Sequence, residues 1–289
     1  MPPHTLTKRM TLAAALGGMT AACTPLGLFA TLSPKDRSDI AARGVAYGEH
    51  PRQRLDVYAP GGVIGEAPVA VFFYGGSWDS GRRQDYNWVG RALAARGFLT
   101  IVADYRLYPE VSYPGFLEDG ALAVRWVVDH ARAHGGDPRR IVLLGHSAGA
   151  YNAVMLGLDP RWLGAAGVDP RVIRAVAGLA GPYDFLPIDS GTTRRVFGAA
   201  PDLPATQPGA HVGPDSPPAF LATGDADRVV WPRNTKALAA RLREAGVAVE
   251  ERYYPGVDHI RIVLALSRPL RGEAPVLDEM TAFLHRHTS

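Results

Sequence analysis

The sequence predicts an α/β domain with a mostly parallel central sheet flanked by helices. Two patterns carry this. From about Gln53 onward, short runs rich in Val, Leu, Ile and Phe alternate with longer segments whose apolar residues recur at helical spacing. Apolar strands separated by amphipathic helices imply a parallel sheet covered on both faces. At 289 residues the chain can bury one substantial core, so no second domain is required.

The elements follow in order. "QRLDVYAP" and "VAVFFYGG" read as strands, "DYNWVGRALAARG" as a helix and "FLTIVADYRL" as another strand. The next helix is "PGFLEDGALAVRWVVDHARAHGG", in which Leu117, Ala121, Val124, Val127 and Val128 make one apolar face. The strand "IVLL" leads through Gly145-His146-Ser147-Ala148-Gly149 into the helical segment "AYNAVMLGL". Then come the strand "VIRAVAGLAG", a Gly/Pro-rich stretch from about 181 to 217, and the strand "AFLAT". The helix "PRNTKALAARLREAG", the strand "VAVEERYYPG" and the helix "VLDEMTAFLHRH" close the domain. There is no internal repeat.

The N-terminal end has a different character. Lys8 and Arg9 precede an apolar, small-residue run from Thr11 to Ala22, the layout of an export signal. That run is shorter than the roughly 20 residues needed to span a bilayer core. Cys23, the single cysteine, stands where the run ends. The arrangement resembles a bacterial lipoprotein signal, which implies lipidation of Cys23 and membrane attachment, although Thr20 replaces the usual leucine. Lys8-Arg9 also resembles a relaxed twin-arginine signal, and an uncleaved anchor over residues 11–32 is the remaining alternative. The boundaries read from this are a signal over 1–23, a linker over 24–49 and the α/β domain over 50–289, in a protein exported to the periplasm or cell surface, where a lipidated Cys23 would attach it to the membrane. With one cysteine, no intramolecular disulfide can form.

Composition excludes several functions. The formal charge is +3, and loss of Lys8 and Arg9 brings it to +1, too little for a nucleic-acid footprint. No phosphate-binding Gly-rich loop ends in Lys-Ser/Thr, and no Cys/His cluster has metal-ligand spacing. The expectation is no cofactor, no metal and no nucleic-acid partner.

In a strand–turn–helix context, Gly-x-Ser-x-Gly resembles the nucleophile elbow of the α/β-hydrolases, where small flanking residues allow a sharp turn that exposes the serine. A serine hydroxyl is a weak nucleophile, so a base must take its proton and a carboxylate must orient that base. In this fold the chain order is Ser, acid, His. His4, His50, His130 and His134 precede Ser147, and His146 lies inside the elbow. His285 and His287 read as solvated residues of the last helix, and His211 lies ahead of the expected acid. His259, in "YYPGVDHI", remains as the base. The loop "TGDADRVV" offers Asp225 and Asp227; its likeness to the hydrolase acid loop favours Asp227 and leaves Asp225 as a turn residue.

The oxyanion hole is the set of amides that receives the charge developing on the carbonyl oxygen. Gly75-Gly76-Ser77-Trp78 follows a strand where esterases carry a His-Gly-Gly-Gly-type loop, with Tyr74 in the histidine position. The expected donors are the amides of Gly76, Ser77 and Ala148. "FFYGGSW", "ADYRLYPE", "YPGFLEDGALAVRWV", "GHSAGA", "TGDADRVV" and "GVDH" together resemble the esterase branch of the α/β-hydrolase superfamily. The likeness spans about residues 50–289 and lies near the hormone-sensitive-lipase-like carboxylesterases, the feruloyl and acetyl-xylan esterases and the kynurenine-formamidase-type enzymes.

That resemblance implies an α/β-hydrolase fold with a minimal cap, since only about 30 residues separate Cys23 from the first strand; the 181–217 stretch is then the main cover. It also implies that Arg106 with Glu118 or Asp119 braces the scaffold. The implied function is a serine carboxylesterase acting on small acyl or aryl esters, with Ser147, His259 and Asp227 as the triad. An arylformamidase on the same machinery and a non-catalytic binding module are the rivals. Trp78, Tyr86, Trp88, Tyr113, Tyr151, Tyr183 and Trp231 are candidates for pocket lining, with core packing as the alternative. The natural substrate and the oligomeric state are not legible in the sequence.

Overall fold

The computed structural model describes residues 25–62 and 65–289. Lys8, Arg9, the run Thr11–Ala22 and Cys23 lie outside the described residues. Eight strands form one sheet: β1 (Asp39–Ala46), β2 (Arg54–Ala59), β3 (Ala67–Phe73), β4 (Leu99–Ala103), β5 (Gly136–His146), β6 (Ile173–Leu179), β7 (Ala219–Gly224) and β8 (Val249–Tyr254). Their spatial order is β1-β2-β4-β3-β5-β6-β7-β8. The pairs β1/β2 and β2/β4 are antiparallel and every other pair is parallel. This is the mostly parallel sheet the apolar strand runs predict.

The helices are α1 (Pro25–Leu32), α2 (Asn87–Ala94), α3 (Gly115–His130), α4 (Ala148–Leu158), α5 (Pro160–Ala165), α6 (Gly191–Phe197), α7 (Arg233–Glu244), α8 (Arg261–Leu264) and α9 (Val276–Thr288). Successive strand residues point to opposite faces, and β3 shows what each face carries. Phe72 meets Tyr86, just ahead of α2, with ring centroids 5.8 Å apart. Phe73 lies beneath Gly120 of α3, which itself packs on Leu156 of α4. On the α2 face, His285 of α9 donates its Nε2 hydrogen to the Arg96 carbonyl at 2.7 Å and stacks on Phe98. His285 is therefore a brace between two segments and not the solvated histidine the sequence suggests.

The N-terminal boundary also moves. Residues 24–49 read as a linker, but β1 adds an edge strand, from Asp39 opposite Ala59 to Ala46 opposite Arg54. In its sequence, DIAARGVA, Ile40, Ala42 and Val45 are half-buried against the core, and no residue of the strand is fully buried. The neighbouring strand also holds it by a side chain: the Asp56 carboxylate accepts the Gly44 amide at 2.7 Å, at a bulge where Gly44 takes φ +63. Ahead of it α1 buries Gly27 and Ala30 and sets Phe29 edge-on against Trp88 at 5.4 Å. Residues 25–32 thus rest on the protein core. Among the described residues no helix is long and apolar enough to cross a membrane.

Candidate active site

The elbow lies between β5 and α4. Ser147 takes φ +56 and ψ −125, a region non-glycine residues occupy only at a cost of order 1–3 kcal/mol. The flanking glycines are needed for space. A Cβ on Gly149 would stand 2.1 Å from the Phe73 carbonyl oxygen, and one on Gly145 would stand 2.3 Å from that of Gly149. The Ser147 amide donates to the Leu179 carbonyl at 2.8 Å, which pins the turn to the end of β6.

Three distant residues converge here. His259 Nε2 lies 2.9 Å from Ser147 Oγ, and its Nδ1 lies 2.8 Å from Asp227 Oδ2. Asp227 is fully buried, and its Oδ1 accepts the amides of Val229 and Val230, each at 2.9 Å. Burial pushes the Asp227 carboxyl up, but the hydrogen bond and charge of His259, with the two amides, outweigh it and hold the group below the ordinary aspartate value. A charged Asp227 requires the His259 Nδ1 to carry a hydrogen, which leaves Nε2 free to accept the serine proton.

Asp225 has another task. Its Oδ1 accepts the Gly256 amide at 2.7 Å, and its own amide donates to the Tyr254 carbonyl. It braces the acid loop against the loop that carries His259, beyond the local turn role read from sequence. His211 is elsewhere, donating its Nε2 hydrogen to the Ala205 carbonyl at 2.7 Å.

Gly76 and Ser77 line one cavity with Ser147, and Ser77 lines the adjoining cavity with Ser147 and Ala148, the first residue of α4. Among the described residues the amides of Gly76, Ser77 and Ala148 have no hydrogen-bond acceptor. The turn that frees them puts Gly76, Ser77 and Trp78 at φ +136, +54 and +60. Tyr74 and the segment that carries Asp104 and Tyr105 hold it there, together with Arg52, which the sequence did not point to. The Tyr74 hydroxyl donates to Asp104 Oδ1 at 2.8 Å and accepts from Arg52 Nη2 at 2.8 Å, while the Tyr105 hydroxyl donates to the Tyr74 carbonyl. Tyr74 is thus fixed from behind by groups 22 to 31 residues away. Arg106 forms the expected brace, with two nitrogens on the buried Asp119, which also accepts from Gln53.

His146 is the other residue that sequence reasoning set aside. It is buried, and its Nε2 hydrogen donates to the His259 carbonyl at 2.8 Å. Burial first, and then the neighbouring charge of His259, lower its pKa to about 3, so it stays neutral. The only sequence signal for it is its place inside the elbow.

The cleft has two sides. One, of about 340 Å³, runs from Ser147 past Trp78 and Phe185 to a polar wall of Asp184, Asp189, Ser190, Thr193 and Arg233. Much of that wall comes from the 181–217 stretch and α6. The other, of about 360 Å³, is lined by Tyr86, His259, Ile260 and Leu26 of α1. Of the seven candidate aromatics, Trp78, Tyr86 and Trp231 reach these cavities. Trp88, Tyr151 and Tyr183 are buried in the core, and Tyr113 is half-buried against it. Among the described residues no group of acidic, histidine or cysteine side chains could hold a metal ion.

A family profile described as BD-FAE matches residues 55–242. Over 255 residues the chain is 32% identical to a carboxylesterase of Mycobacterium tuberculosis, covering 81% of this chain and 79% of that protein. It is 30% identical over 266 residues to a probable isoprenylcysteine alpha-carbonyl methylesterase of Arabidopsis thaliana, covering 84% of this chain but 55% of that relative's length. Among solved structures, an inhibited esterase B from Lactobacillus rhamnosis superposes with a TM-score of 0.77 at 21% identity, covering 89% of this chain and 90% of the other. A truncated carbohydrate esterase from gut microbiota gives 0.76 at 21% identity, covering 89% and 99%. These structural likenesses speak to the fold, and the fold they share is that of the α/β-hydrolases.

Proposed function

Since the chain belongs to the BD-FAE family, we propose that it is a carboxylic ester hydrolase that works through an acyl-enzyme on Ser147. The observation that carries this reading is the continuous chain from Asp227 through His259 to Ser147, with the unengaged amides of Gly76, Ser77 and Ala148 beside it. His259 Nε2 takes the Ser147 proton as Oγ attacks the ester carbonyl. The three amides receive the charge on the carbonyl oxygen, and the positive end of α4 adds to their field. Asp227 stabilises the imidazolium, which then gives its proton to the leaving alcohol. Water repeats the sequence and releases the acid.

The preferred esters carry small acyl groups. The acyl group enters the side walled by Asp184, Asp189, Ser190 and Thr193, and the alcohol or aryl part lies toward Tyr86, Leu26 and Ile260. The enzyme is exported and held at the membrane by a lipid on Cys23, the reading of the basic–apolar–cysteine order at the N-terminus. Ser147→Ala, tested on p-nitrophenyl acetate and on N-formylkynurenine beside wild type, checks the chemistry. The expected result is turnover of the acetate far above the formamide, with loss of both, and of fluorophosphonate labelling, in the variant. Formamide turnover exceeding acetate turnover would make the enzyme an arylformamidase, and an unlabelled, inactive wild type would make it a binding module.

A further inference from the structure

Exposed apolar surface gathers around the cleft. Among the described residues seven large apolar side chains are exposed, and five of them, Leu28, Leu32, Val229, Trp231 and Ile260, stand on three segments that rim the site. These segments are α1, the loop carrying Asp227 and the loop carrying His259. Leu26 of α1 lines the cavity that holds Ser147 and His259. With Ile260 it continues into an apolar groove of about 390 Å³, completed by Pro25, Phe29 and Leu264. Because α1 turns Gly27, Ala30 and Phe29 inward, Leu28 and Leu32, one helical turn apart, are 52% and 72% exposed. On the other rim the Arg228 guanidinium sits 5.1 Å over the ring of Trp231, a pairing suited to the headgroup level of a membrane.

The sequence ahead of α1 indicates what covers this face. The apolar run Thr11–Ala22 and Cys23 end just before Pro25. Three residues carry the chain from Cys23 to Leu26, a reach of at most about 11 Å. A tether there holds the mouth of the cleft, and not the far side of the domain, at the membrane. A second copy seated on the same rim would close Ser147 to substrate, whereas a bilayer can deliver substrate to it.

We propose that α1 and the two rim loops form an interfacial face that seats on a lipid bilayer, so that the ester reaches Ser147 from the bilayer surface. This rests on the reading of the segment ending at Cys23 as the tether. The short-acyl preference is compatible with it, because the part of the ester held in the bilayer is the apolar alcohol lying along Leu26 and Ile260.

The test uses the full chain on vesicles of phosphatidylethanolamine and phosphatidylglycerol, with two acetates. One is p-nitrophenyl acetate in solution, and the other is the acetate of a long-alkyl hydroxycoumarin dissolved in the vesicles. The acyl group is the same, so only the location of the ester differs. The variant carries Leu28→Glu and Leu32→Glu together, at exposed positions outside the site, and its thermal unfolding is compared with wild type. Both proteins should float with the vesicles and turn over the soluble acetate within about twofold of each other, while the variant loses about tenfold or more on the vesicle-borne acetate. Equal activity of the two floating proteins on the vesicle-borne ester overturns the proposal. A wild type that does not float removes the tether reading and the proposal together, and one inactive on the soluble acetate removes the hydrolase reading instead. A wild-type dimer in sedimentation that the variant loses would give the face to a second copy.

Discussion

Asp225 and Asp227 sit on one loop, yet only Asp227 faces His259. Asp227→Asn keeps the side-chain shape but removes the charge that stabilises the imidazolium, so turnover of p-nitrophenyl acetate should fall on the order of 10⁴-fold. Asp225→Asn should cost far less, because an asparagine oxygen can still accept the Gly256 amide. Melting curves of both variants separate a collapsed loop from a chemical loss, and a reversed order of effects would reassign the acid. His146 supports a second prediction. His146→Ala frees the His259 backbone, and kcat should fall about 10–100-fold with little change in KM, since a misplaced base costs chemistry more than binding. Its proton linkage has a definite sign. The folded pKa of about 3 lies below the ordinary 6.5, so the unfolded chain takes up the proton first. Stability contributed by neutral His146 is complete above pH 6.5 and falls as the pH drops toward about 3. Urea unfolding at pH 7, 5 and 4 should show a shallower acid decline in the variant.

At the scale of elements, the approach of α4 to β3 decides where Ser147 stands. Gly149→Ala puts a methyl group against the Phe73 carbonyl. The helix start must back away, carrying Ser147 and the Ala148 amide with it. A loss of about 2–4 kcal/mol in denaturant unfolding is expected, with activity falling further than stability alone explains. The start of β5 gives an acid-range test. Burial raises the Asp137 carboxyl, but hydrogen bonds from Arg139 and Arg140 outweigh it and hold the group down to about 2, against an ordinary 3.8. Arg140 also donates to the Thr288 carbonyl at the end of α9, so this carboxylate ties β5 to the last helix. The folded pKa is depressed, so the stabilisation is present above pH 3.8 and is lost as the pH falls through about 2. Asp137→Asn should cost about 1–3 kcal/mol at pH 7, and the difference from wild type should vanish at the acid end of that window.

At the scale of the whole molecule, the stretch over the cleft bears on the proposed preference for small acyl groups. The 181–217 stretch, which includes α6, contributes Asp184, Asp189, Ser190 and Thr193 to the cavity proposed to receive the acyl group. A buried methylene contributes about 0.8 kcal/mol only where an apolar wall receives it. Catalytic efficiency on soluble p-nitrophenyl esters should therefore fall from acetate and butyrate toward palmitate, and a steady rise along that series would contradict the assignment of this side. The other cavity of the cleft is lined by Leu26 of α1 and by Ile260, so under this proposal the two halves of an ester meet different surfaces.

The sequence by itself determined the parallel core, the elbow at Ser147 and, through chain order, the short list from which His259 and Asp227 come. These are local signals: a run of Val and Leu, glycines two residues either side of a serine, an acid after one strand and a histidine after the next. The tertiary structure alone decided the rest. β1 has only a weak apolar face, Ile40, Ala42 and Val45, whose alternation a bulge breaks, and its pairing with β2 is what makes it a strand. α1 is a short apolar segment whose place follows from Trp88, some sixty residues on. The support of Tyr74 by Arg52 and Asp104, the reach of Asp225 to Gly256 and the bond from His146 to the His259 backbone each join residues 22 to 113 positions apart. Such partners are chosen by how the sheet and its loops bring distant backbone together, and no local pattern encodes that.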